Sequence, residues 1–287
     1  MRSTRGPRKS LVLATTTVSK PPASSPRPVR FQPQWRRPVT TKARPKLIQA
    51  ARAPAFGLDP AHPDLAALPE RIAAVVPLAP GEVVPGAGPE AVLVAADADG
   101  APRLAMMREE VSRGDYAAFA RATGRPEARC HSRLSLLQVV RRRSWSEPGF
   151  QQSSAHPVVC VSQPDAVAYA AWLSQRTGER WRLPTLAEWR AGAQPGAPAP
   201  TCTSARLDCG RDRGTAAGGT LAANALGLRH VSGNVSEWTA DCGGEACRTA
   251  GPGWRDAPRL RGADASEDQV AARGYDDVGL RLVRALP

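Results

Sequence analysis

No aspartate or glutamate occurs before Asp59, and this asymmetry decides where along the chain a core can form. Thirteen lysines and arginines precede position 53, including every lysine of the protein. Of 39 basic residues, 26 therefore remain for the rest of the chain, where they meet 26 acids. The net charge of +13 belongs to the N-terminal stretch alone, and the region beyond it is neutral. Residues 1–55, rich in proline and arginine, cannot bury enough apolar surface to fold on their own and read as a disordered tail. The functional alternatives are a polybasic arm that contacts nucleic acid or an anionic membrane, or a targeting-like presequence.

Residues 56–90 read as a linker punctuated by proline and glycine, with a short helix expected over Leu65–Ala74. The globular domain is expected over 91–287. No apolar run reaches the roughly 20 residues that a membrane helix needs. The early stretch "LVLATTTVSK" is too short and too threonine-rich for a signal-peptide core, so no clear signal peptide is visible. "EAVLVAAD" and "PRLAMMREEVS" read as strands, the second with Leu104 and Met106 on one face.

Three helix starts follow one logic. Ser112 precedes Asp115, Ser162 precedes Asp165 and Thr185 precedes Glu188, each pair three residues apart. A hydroxyl at the first position accepts from an orphan helical N–H while the acid bonds back to the cap. Gly124 and Gly178 stand where left-handed C-caps are expected. In the middle helix Ala166, Tyr169, Ala170 and Leu173 mark the buried face, with Trp172 beside it. "QPGAPAP", "GRDRGTAAGG" and "GPGWRDAP" are loops. "VGLRLVRAL" returns to strand-like alternation, with Val278, Leu280 and Leu282 opposite Arg281. The pattern indicates an irregular, loop-rich α+β domain.

Six cysteines, Cys130, Cys160, Cys202, Cys209, Cys242 and Cys247, suit disulfides and an oxidising compartment, periplasmic or extracellular. Six cysteines allow fifteen connectivities; sequential pairing, 130 with 160, 202 with 209 and 242 with 247, is the expectation carried forward.

Four ordered segments carry a resemblance. They are "EVSRGDYAAFARATG", "HPVVCVSQPDAVAYAAWLSQRTGERWRLPTLAEWRAGA", "NALGLRHVSGNVSEWTAD" and the closing "RLRGADAS…VGLRLVR". Together they resemble the formylglycine-generating enzyme, or sulfatase-modifying-factor, domain family over roughly 110–287. The resemblance implies a variant of the C-type lectin fold. It also implies relatives of several kinds: copper-dependent oxidases that convert a sulfatase cysteine to formylglycine, non-heme iron sulfoxide synthases, and accessory or binding domains.

What the resemblance implies about chemistry can be compared with the residues present. The oxidases place a Cys-x4-Cys pair between their "RGGSW" and "GFR" motifs, and thiolates there hold copper(I). In this chain the interval from Arg261 to Gly279 contains no cysteine, which argues against copper. Cys242 and Cys247 have that spacing but lie earlier in the order. His62, His131, His156 and His230 show no metal-ligand spacing. The family's calcium turn maps onto His230, Gly233, Val235 and Glu237. Gly233 and Val235 would contribute carbonyls and Glu237 its carboxylate, as a hard cation requires. His230 stands where the family has Asp or Asn, and Ser236 replaces a tryptophan. The two readings of this turn are a calcium site and a metal-free structural turn.

"Asn234-Val235-Ser236" is formally a glycosylation acceptor, but Asn234 is better explained by the backbone conformation of a tight turn. Trp172, Trp181, Trp189 and Trp238 read as core residues rather than a ligand platform. The functional expectation is a domain of this family that lacks the copper-binding cysteines, has no assigned catalytic residue, and serves as a binding or accessory module for an unknown protein or small ligand. The alternative is an oxidoreductase of the family with an unrecognised metal site.

Overall fold

The computed structural model of the chain describes residues 78–95, 104–132, 143–193, 199–210, 214–258 and 265–286. The basic segment 1–55 and the helix expected over 65–74 lie outside the described residues.

The largest sheet joins β1 (Val83–Val84), β2 (Ala91–Ala95), β3 (Leu104–Met107), β11 (Val283–Ala285) and β5 (Trp181–Arg182), in that order across the sheet. Every neighbouring pair is antiparallel. β2 and β3 are apolar throughout because both faces of the sheet are covered. Leu93, Ala105 and Met107 face a core with Tyr116, Phe119, Tyr169 and Leu173. Val92, Leu104 and Met106 face a second core with Leu186, Trp189, Leu228 and Val231. Leu104 and Met106 thus share a face, but their alternates are buried too. β1 falls inside the 56–90 span expected to be linker. Val83 pairs with Val92 and Val84 with Ala91, and Val84 is buried. Flanking glycines and prolines conceal a strand this short from pattern reading.

Among the described residues there are three helices, α1 (Arg113–Thr123), α2 (Gln163–Thr177) and α3 (Leu186–Ala193). Each begins at the hydroxyl–acid pair. The Ser112 hydroxyl accepts from Asp115 N–H at 3.1 Å and donates to its carboxylate at 2.6 Å. Ser162 and Asp165 form the reciprocal capping box at 3.3 and 3.0 Å. Thr185 and Glu188 do the same at 3.2 and 2.8 Å. Gly124 and Gly178 close α1 and α2 with φ of 63° and 75°, the left-handed conformation that glycine adopts without a Cβ clash. Ala166, Tyr169, Ala170 and Leu173 are the buried face of α2.

A second sheet is ordered β10 (Val278–Gly279), β6 (Ser236–Gly243), β7 (Ala246–Ala250), β8 (Ser266–Val270). β4 (Cys130–His131) and β9 (Gly274–Tyr275) form a small parallel pair. The closing segment is not one alternating strand. β10 belongs to the second sheet and β11 to the first, and Leu280–Leu282 carry the chain between them. Residues 278–283 are buried on every side, Arg281 included.

Disulfides join Cys130 to Cys160, Cys202 to Cys209 and Cys242 to Cys247. The last ties directly opposed residues of the β6–β7 hairpin. Cys160 sits at φ 62°, and a Cβ on Gly274 would run into its carbonyl, so glycine is required where β9 crosses this bridge. The few helices, short twisted strands and long loops make up an α+β variant of the C-type lectin-like fold.

Candidate functional site

The segment between the two cores, residues 229–238, is shaped by two non-glycine residues in the left-handed region, His230 at φ 63° and Asn234 at φ 73°. Asn234 is fully buried, and its amide is bonded at every position. Its carbonyl Oδ1 accepts from Ala216 N–H at 2.7 Å, and its Nδ2 donates to the Ala216 carbonyl and to both oxygens of Glu110, at 3.1 and 3.2 Å. This amide has no room for a glycan in the folded chain. Gly233 lies against the Arg206 backbone, where a Cβ would come within 2.8 Å of the carbonyl oxygen. Ser236 donates to the Gly251 carbonyl at 2.8 Å, a bond that a tryptophan at this position could not make.

Glu237, at the start of β6, is wholly buried. It receives the Arg281 guanidinium, Nη2 to Oε1 at 2.8 Å and Nε to both oxygens at 3.0 Å. The Trp189 indole donates to Oε2 at 2.6 Å. Arg281 also donates to the carbonyls of Met107, Arg108 and Arg229. The carboxylate is therefore neutralised and hydrogen-bonded on both oxygens. Calcium at Gly233, Val235 and Glu237 does not fit this arrangement, because the ion would have to displace a saturated guanidinium from a dry site.

Among the described residues, ligand atoms converge at Glu109, Glu110 and His230, whose donor atoms all lie within 4.8 Å of one another. Glu109 and Glu110 follow β3 after one intervening residue, Arg108, and His230 comes from the 229–238 segment. The Glu110 carboxylate is buried, with the Asn234 amide as its bonded partner. Burial pushes its pKa well above the usual carboxylate range, against the pull of Arg281 and helped by the nearby Glu237 and Glu109 charges. Burial likewise raises Glu109, which forms an ion pair with Arg229 at 3.3 Å. The His230 side chain is completely excluded from solvent, and neither ring nitrogen has a hydrogen-bond partner. Burial, with Arg281 and Arg229 nearby, lowers its pKa to about 4, so it is a neutral imidazole at physiological pH.

His131 lies against the carbonyls of Arg129 and Gly274, His156 against Ser153, and His62 lies outside the described residues. The six cysteines occupy three separate bridges and form no thiol cluster. Trp181, Trp189 and Trp238 are buried, with the Trp238 indole donating to the Val161 carbonyl at 2.9 Å. Trp172 is partly buried and carries the Arg176 guanidinium at 5.0 Å from its ring. None of the four forms an open platform. Sequence reading passed over Glu109, Glu110 and the buried role of Arg281. The available signal was two consecutive acids leaving an apolar strand immediately before a helix cap.

The family model for the sulfatase-modifying factor enzyme 1-like domain matches residues 62–286. A formylglycine-generating enzyme of Thermomonospora curvata is 38% identical over 112 residues, 30% of this chain and 33% of that protein. One of Mycobacterium tuberculosis is 36% identical over 106 residues, again 30% and 33%. The aligned part is thus about a third of the length of the curated relatives it matches. Among solved structures, that of PvdO from Pseudomonas aeruginosa superposes with a TM-score of 0.60 at 26% identity, covering 72% of this chain and 99% of that one.

Proposed function

The chain belongs to the sulfatase-modifying factor enzyme 1-like domain family, and from that premise we propose that it is a binding or accessory module without cysteine-dependent copper oxidation. The observation that carries this reading is that all six cysteines are joined in disulfides. Copper(I) selects soft thiolate ligands, and the stretch where the family places them offers none. Cys242 and Cys247 have the matching spacing, but they staple a hairpin by its directly opposed positions. The module's partner is a protein or small ligand. The bridges suit an oxidising compartment, which we read as periplasmic or extracellular.

The test is an assay for formylglycine on a Cys-x-Pro-x-Arg peptide, with the protein incubated with copper(I) under mild reduction. No turnover is expected. Turnover that is abolished by Cys242→Ser or Cys247→Ser would overturn the reading. A second reading, oxidoreductase chemistry at a metal held without cysteine, draws its support from the Glu109–Glu110–His230 group. Substrate-dependent oxygen consumption that requires His230 would favour it.

A further inference from the structure

We propose that Glu109, Glu110 and His230 form a binding site for a single divalent transition-metal ion of the zinc, manganese or iron(II) class, and not for calcium. The inference does not depend on whether the domain catalyses a reaction.

Three observations converge on it. The first is the unbonded imidazole. A buried ring nitrogen without a partner carries a desolvation cost, and buried polar groups in folded proteins are nearly always bonded. The His230 side chain is fully enclosed with both nitrogens unpartnered. Its Nε2 faces Glu109 Oε2, which is also buried and unbonded, at 3.9 Å. That separation is too long for a hydrogen bond. It is within reach of two ligands of one ion, since bonds of about 2.1 Å place two donors no more than about 4.2 Å apart.

The second is charge. Arg281 is neutralised by Glu237, and Arg229 stands against Glu109. Glu110 is left as a buried carboxylate whose bonded partner is a neutral amide. A divalent ion supplies the missing positive charge. The Asn234 amide already fixes the orientation of the Glu110 carboxylate, as the supporting shell of a metal site does.

The third is the donor set. One imidazole and two carboxylates match ions that accept mixed nitrogen and oxygen ligands. Calcium takes six to eight oxygens, and an imidazole nitrogen is a poor substitute. Glu109 has 32% of its side chain exposed and gives the ion a way in.

The test uses the full chain, stripped with EDTA and titrated with zinc, manganese and calcium by calorimetry, with cobalt(II) absorption as a report of the ion's coordination in the site. We expect one zinc or manganese ion per chain and no comparable calcium response. Glu109→Gln, at a partly exposed position, should weaken binding by about 10-fold or more. His230→Asn is chosen because asparagine tolerates the left-handed backbone. It should remove the cobalt spectrum while far-UV circular dichroism stays unchanged. The proposal fails if the wild type takes up no transition ion, if calcium binds more tightly than zinc and manganese, or if both folded variants bind as the wild type does.

Discussion

Arg281 and Glu237 form an ion pair in which both side chains are completely excluded from solvent. The guanidinium reaches from the link between the two sheets to the start of β6, and on the way it bonds carbonyls of the last β3 residue, of Arg108 just after it and of Arg229 before His230. One side chain thus holds together the first sheet, the second sheet and the segment that bears the candidate metal ligands.

Replacing Arg281 with methionine keeps the length and removes every one of these bonds. Glu237 is then a buried charge with only the Trp189 indole left. Breaking a buried pair from one side costs about 3–5 kcal/mol. Urea denaturation should show a loss of this size, and Arg281→Lys should recover only part of it, because an ammonium cannot reproduce the planar fork. A loss below about 1 kcal/mol would mean that the pair is not the junction described.

Stability should fall as pH drops from 6.5 towards 4 through His230. Its pKa in the folded chain is about 4, against the ordinary 6.5. Above 6.5 the imidazole is neutral in both states and no difference arises. Between 6.5 and 4 the unfolded chain binds a proton that the folded chain refuses, so the unfolded state gains. The loss reaches about 3 kcal/mol and saturates near pH 4. Glu110 acts in the opposite sense, since its raised pKa weakens the fold progressively as pH rises above 4.5. The urea midpoint measured from pH 4 to 8 for wild type and His230→Asn isolates the histidine term. The variant should lose the fall in stability from 6.5 to 4 and keep the opposite carboxylate trend, so the difference between the two curves is the histidine contribution.

Local features of this fold are legible in the sequence. The three helix starts and two glycine C-caps are set by neighbours three to five residues away, and a pattern of that range can be read directly. The strands β2 and β3 are legible too, but alternation puts only Leu104 and Met106 on a buried face, whereas Ala105 and Met107 are interior as well. What could not be read is long-range. Glu110 and Asn234 are 124 positions apart, and Arg281 meets Glu237 across 44. No spacing rule links residues so separated. Alternation puts Arg281 on the face opposite the apolar residues, and nothing in its neighbouring sequence marks that face as interior too. His230 could be seen to depart from the family pattern, but the acids that face it come from the other end of the domain.

The disulfides should contribute unequally. Cys130–Cys160 encloses a separation of 30 residues and Cys242–Cys247 only 5. If the main effect is on the entropy of the unfolded chain, the long loop contributes about 3–4 kcal/mol and the hairpin staple about 2. Paired Cys→Ala variants, unfolded in urea without reductant, should rank in that order. The reverse ranking would place the contribution of the staple in the native hairpin and not in the unfolded chain.

Asn234 combines a backbone role with a side-chain role, and two substitutions separate them. Asn234→Gly keeps the left-handed turn at φ 73° and deletes an amide that bonds Ala216 on both sides and both Glu110 oxygens. Leaving such buried partners unbonded costs about 1–3 kcal/mol. Asn234→Ala removes the same bonds and also forces a Cβ-bearing residue without a local hydrogen-bonding side chain into the left-handed region. That adds about 1 kcal/mol beyond the glycine variant. The expected stability order is wild type, then Asn234→Gly, then Asn234→Ala. An alanine variant as stable as the glycine one would show that the turn conformation does not select the residue. In either variant Glu110 loses its bonded partner, so its pKa should rise further and the destabilisation should grow with pH above 4.5. Added zinc should narrow that gap if the ion sits against Glu110, since the metal then offsets the charge that the lost amide no longer stabilises.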